Sequence, residues 1–69
     1  MPINLLNMGE RATIRQIGGK ETTRKHLENL GVVCGQQVRI ISKVAGSLIL
    51  EVKGTRIALD QRLTRAILV

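Results

Sequence analysis

Between Arg24 and Gly35 the chain reads Arg-Lys-His-Leu-Glu-Asn-Leu-Gly-Val-Val-Cys-Gly, and no other stretch restricts the fold so tightly. Leu27 and Leu30 are three apart and so share one face of a helix. Gly31 follows the last apolar position, where a helix end favours a residue that takes positive φ at little cost. Val32 and Val33 make a short apolar link. Gly35 marks a second bend before an alternating run that begins at Val38. A helix stopped by glycine and fed straight into a strand is tied to the sheet it introduces. Leu27 and Leu30 are therefore expected to plug one end of that sheet.

The rest of the chain supplies the strands. Asn4 is placed to cap a short opening turn whose Leu5 and Leu6 dock on the core, and Gly9 ends it. Arg11 to Ile17 reads as a first strand that alternates imperfectly, with Ala12 and Ile14 on one face, Arg11, Thr13 and Arg15 on the other, and Ile17 breaking the alternation. Gly18-Gly19 is a turn. The helix is expected from Lys20 to Leu30, with Thr22 or Thr23 as a late N-cap. Gln37 to Val44 is the clearest strand, placing Val38, Ile40, Ser42 and Val44 on one face and Arg39, Ile41 and Lys43 on the other. Ala45-Gly46-Ser47 is a hairpin turn, Leu48 to Lys53 returns, Gly54-Thr55 turns again and Arg56 to Leu59 is a short strand. Asp60 is placed to cap a brief helical turn, and Ala66 to Val69 is a last strand that closes the sheet on an earlier one. The sum is an all-β chain with one short helix: about five short strands closed into a small barrel, which removes exposed edges. The core residues expected are Leu27, Leu30, Val38, Ile40, Leu50, Val52, Ile57 and Ile67.

Composition narrows the function classes. Sixty-nine residues allow one domain, residues 1–69, with one small core. That core must be aliphatic, because the chain has no Phe, Tyr or Trp. A single cysteine makes no internal disulfide and fits a reducing compartment. Neither a signal-peptide pattern nor a run of about 20 apolar residues is present, so a cytoplasmic protein is expected. Eleven Lys/Arg against five Asp/Glu give a formal charge of +6, which favours an acidic partner. Catalysis finds no support: no nucleophile–base set or close carboxylate pair can be placed, and Gly18-Gly19-Lys20 is too short for a phosphate loop. His26 and Cys34 are the soft metal ligands, with Glu28 the nearest carboxylate, short of the three or four ligands that a zinc or iron site needs.

Taken in order, these residues resemble the FeoA-like domain family of bacterial ferrous-iron transport. The matching pieces are Leu5-Leu6 with Gly9, Ile14 to Gly19, Arg24 to Gly31, Gly35 with Val38, Ile57-Ala58-Leu59, and Ala66 to Val69. Cys34 stands where the family often has proline, and Asp60 where arginine is common. The resemblance implies an SH3-like small barrel. It also implies a stand-alone, non-catalytic cytoplasmic protein that binds and modulates the cytoplasmic part of a FeoB-type membrane transporter, as a monomer or weak homo-oligomer. Transition-metal binding occurs at the level of the family, but no resident cofactor is expected here.

The residues expected to meet a partner are Arg24, Lys25 and Glu28 on the outward helix face, and Arg39, Ile41 and Lys43 on one strand face, where charge mixes with aliphatic stem. Leu27, Leu30, Gly31 and Gly35 are expected to be structural. The alternative is a basic barrel that holds nucleic-acid phosphates through Arg11, Arg15, Arg39 and Lys43. Single-strand binders of this shape stack bases on aromatic side chains, and the lack of any favours the protein partner.

Overall fold

The computed structural model describes residues 1–69. A 3₁₀ turn (Ile3–Leu5) is followed by β1 (Arg11–Thr13), β2 (Gln16–Ile17), α1 (Glu21–Asn29), β3 (Gln37–Val44), β4 (Ser47–Val52), β5 (Thr55–Leu59), α2 (Gln61–Thr64) and β6 (Ile67–Leu68). Four strands form an antiparallel sheet in the order β1-β3-β4-β5, and β2 pairs with β6 in a second, two-stranded sheet.

The expected first strand is thus two strands with different partners. The Ile14 amide donates to Gln36 at 2.9 Å and its carbonyl accepts from Gly35 at 2.8 Å, whereas the Arg15 amide donates to Leu68 at 2.8 Å. The backbone hands over from β3 to β6 between those two residues. Both pieces keep backbone pairing, and the trace the change leaves in the sequence is Ile17, which falls out of the alternation of Ala12 and Ile14. The expected closing strand does close the fold, on β2.

A β-bulge decides which side chains face in. Ile40 pairs with Leu50, but Ser42 pairs with Ile49, so β3 carries one extra residue at Ile41. Side chains alternate with period two, and one extra residue sends every later side chain to the other face. Val44, expected on the same face as Val38 and Ile40, is consequently 58% exposed. The first hairpin turn is one residue tighter than expected, and the second is shifted one residue toward the N-terminus. Their central residues are Ala45-Gly46 and Lys53-Gly54, all at positive φ, as a two-residue turn matched to strand twist requires. Ser47 and Thr55 already belong to strands.

α1 starts at Glu21, with Lys20 as an extended N-cap that makes no side-chain bond; Thr22 and Thr23 lie inside the helix. Its end is a Schellman motif. The Gly31 amide donates to Glu28 at 2.9 Å and the Val32 amide to Leu27 at 2.9 Å, the paired bonds of that motif. Gly31 has φ +89° and Gly35 φ +88°. The reversal carries Val32 back beside Leu27, and both are fully buried. The plug is therefore Leu27 with Val32. Leu30, at the C-cap where the chain leaves the helix, is only half-buried against the core.

The core is one cluster of twelve aliphatic residues. Six of the eight expected are in it; Leu30 and Ile57 pack on its rim. Ile57 lies on the edge strand β5, which leaves one flank open. Ile3, Leu6, Ile14, Val32, Leu48 and Leu59 complete the cluster. Leu6 docks as expected, but Leu5 is 62% exposed, and Pro2, not Asn4, precedes the 3₁₀ turn. Asp60 caps α2 by accepting the Leu63 amide at 3.1 Å.

Candidate functional site

Three surface features carry the charged residues. The first is the outward side of α1. Arg24 and Glu28 lie one turn apart and line a cleft of about 210 Å³ together with Ile17, Val33 and Cys34. Lys25 turns to Glu21 instead, 3.6 Å away, in an exposed pair four residues apart of the kind that adds little stability. The exposed charges of this helix are Glu21, Arg24, Lys25 and Glu28, and they sum to zero.

His26 and Cys34 are both exposed, but the helix does not bring them together. Two residues along a helix rotate a side chain by about 200°. His26 therefore projects away from the face shared by Arg24 and Glu28, where Cys34 lies. No three His, Cys, Asp or Glu side chains cluster as metal ligands anywhere in the chain.

The second feature is the outward face of the four-stranded sheet. The bulge breaks up the expected Arg39–Ile41–Lys43 surface. Lys43 is turned to the face of its cross-strand partner Leu48, and its ammonium donates to the Asn4 carbonyl at 2.9 Å, holding the N-terminal turn. Arg39 stays on the outward face, in different company. Strand register sets Arg11 opposite Arg39, Arg39 opposite Glu51, and Glu51 opposite Arg56. Four charged side chains thus cross the sheet in one row. Next to the row is a concavity of about 250 Å³, lined by Arg11, Arg39, Glu51, Lys53 and the two amides Gln36 and Gln37. Of these, Arg11 was foreseen only as a phosphate contact; Glu51, Lys53 and Arg56 were not foreseen at all. Each strand shows its own charges, but the row exists only once strand order and the position of the bulge are known.

The third feature is the largest concavity, about 590 Å³, beside Gly18-Gly19, where Lys20, Arg62 and Arg65 gather near the start of α1. No helix is long and apolar enough to cross a membrane.

The fold and its surface define a class: an SH3-like small barrel, strand-rich with a single long helix and basic on its sheet face. Solved structures share the fold. A crystal structure of an iron uptake regulatory protein (FeoA) superposes with TM-score 0.90 at 20% identity, covering 97% of this chain and 91% of that one. FeoA from Stenotrophomonas maltophilia, solved with zinc and described as a prokaryotic SH3 domain protein, superposes with TM-score 0.77 at 24% identity, covering 93% and 82%. IdeR from T. acidophilum matches with TM-score 0.88 at 24% identity over 97% of this chain but 32% of that one. No curated protein matches the chain in sequence. The FeoA domain model matches residues 1–69, and the chain belongs to the FeoA domain family. Membership implies a role in ferrous-iron transport.

Proposed function

We propose that this domain binds the cytoplasmic part of a FeoB-type ferrous-iron transporter and modulates it, acting in the cytoplasm without catalysing a reaction itself. The observation that carries the reading is the family match across the whole chain. Electrostatics support it. The net charge is +6, and the ion pairs within the chain are two, Lys25–Glu21 and Arg62–Asp60, both exposed. Most of the positive charge is therefore left for a partner. Such charge chiefly speeds encounter and sets orientation, and its effect weakens as salt rises.

The test is titration calorimetry against the transporter's cytoplasmic part, with and without guanine nucleotide, beside single-stranded RNA. Saturable binding to the transporter that weakens with salt is expected, with RNA weaker at equal ionic strength. No binding to the full-length transporter in any nucleotide state, together with tight RNA binding, would replace this reading with that of a phosphate-backbone binder.

A further inference from the structure

The row Arg11–Arg39–Glu51–Arg56 is a poor arrangement for the isolated domain. Arg11 and Arg39 are direct cross-strand partners, and like charges directly opposite one another are destabilising. The one carboxylate in the row does not relieve them. Glu51 forms no ion pair, since the only pairs within 4.0 Å are Lys25–Glu21 and Arg62–Asp60. Lys53 adds a third cation to the neighbouring concavity, held there by a turn in which Lys53 itself has φ +51°. The face thus gathers Arg11, Arg39, Lys53 and Arg56 against Glu51 on paired strands and one tight turn, while the exposed face of α1 is electrically balanced.

We propose that this row docks an acidic protein segment laid across the strands, and that it, not the α1 face, is where the transporter's cytoplasmic part makes contact; this second clause rests on the function proposed above. Adjacent strands lie about 4.8 Å apart, so Arg11 and Arg39 are spaced to hold one carboxylate between them. Arg56 lies two strands beyond Arg39, about 10 Å away, and takes a second carboxylate. Glu51 stands between the two positions and accepts a lysine, arginine or amide donor of the same segment. That alternation separates a protein partner from nucleic acid. A phosphate backbone is negative at every step and brings no cation to Glu51, and the chain has no aromatic side chain to stack a base. Guanidinium pairs are suited to gripping carboxylates through two parallel hydrogen bonds.

The experiment compares the full-length domain with three double variants: Arg11→Glu/Arg39→Glu on the row, Arg24→Glu/Lys25→Glu on α1, and Lys20→Glu/Arg65→Glu on the large concavity. All six positions are exposed, circular dichroism verifies the fold, and Arg11→Gln/Arg39→Gln serves if the reversal unfolds. The probes are the transporter's cytoplasmic part, a glutamate-rich copolymer of glutamate and lysine, and poly-uridylate. The row variant is expected to lose about tenfold or more in affinity for the transporter, with the other two within about twofold of wild type. Transporter binding that survives the row reversal, or that is lost equally in the α1 or concavity variant, overturns the proposal and leaves the function standing. If the wild type does not bind the transporter, the functional reading fails by itself. The row is then judged on the polymers. Row-dependent binding to the glutamate–lysine copolymer that exceeds binding to poly-uridylate supports an acidic-segment site, and the reverse order overturns it.

Discussion

Replacing Gly31 should cost stability by a route that is almost purely conformational. The residue sits at φ +89°, and a Cβ built there would meet only Val52 Cγ1, at 3.6 Å, an ordinary contact. Steric clash with the core is therefore excluded as a cause. An L-residue in the left-handed region costs roughly 1–2 kcal/mol. Alanine regains about 0.4–1 kcal/mol by restricting the unfolded chain, so Gly31→Ala should destabilise by about 1 kcal/mol net. Valine, branched at Cβ, resists the region further, and Gly31→Val should cost about 2 kcal/mol. Asparagine tolerates it, and Gly31→Asn should fall between glycine and alanine. In a domain this small each kcal/mol lowers the melting temperature by roughly 4–8 °C, so the order Gly, Asn, Ala, Val is resolvable by circular dichroism melts and urea midpoints. A Gly31→Ala protein as stable as wild type would refute the Schellman end, because that helix stop cannot form with a negative φ at this position.

Leu27→Ala should cost about 2–5 kcal/mol by emptying a fully buried site, while Leu30→Ala, at the half-buried rim, should cost on the order of 1–2 kcal/mol; equal urea midpoints for the two variants would show that the plug is not Leu27 with Val32. Ala45 holds φ +46° ahead of Gly46, a position that prefers asparagine, so Ala45→Asn should stabilise by roughly 0.5–1 kcal/mol; a lower melting temperature would contradict the two-residue turn. Cys34→Ser, at an exposed loop position, should stay within about 0.5 kcal/mol of wild type, with or without a chelator. A chelator-induced collapse of the wild type that the variant does not share would make Cys34 a structural metal ligand.

Local signals read well along the chain and poorly across it. Gln37 to Val44 alternates so clearly that its bounds were legible residue by residue, and the glycine after Leu30 announced the helix end. The bulge was not legible, because Ile40 and Ile41 are both apolar and either could continue the alternation. Everything downstream of it, including the outward turn of Val44 and the tether from Lys43 to Asn4, depends on the ladder with β4. The break at Ile14-Arg15 showed only as Ile17 falling out of the alternation, because both halves remain paired and only the partner changes. Val32 read as a link because its burial is produced by the reversal at Gly31, which periodicity does not encode. On the surface, Arg24 and Glu28 were legible as neighbours since helical spacing alone puts them together. The Arg11–Arg39–Glu51–Arg56 row joins four strands, and no strand supplies more than one of its members.

The two ends of the chain meet: the Met1 ammonium donates to the Val69 carbonyl at 2.7 Å, the Val69 amide donates to Met1 at 2.7 Å, and Pro2 bridges Leu68. This arrangement has a mechanical consequence. Tension applied through both termini would load the Met1–Val69 pair first, then the Pro2–Leu68 bridge, then the short ladder between β6 and β2. The bonds would fail one after another, as in a zipper, without sharing the load in shear. Tethered at one end, the barrel feels no such force; strung between two pulling partners, it would open from its seam at low load while the four-stranded sheet was still intact.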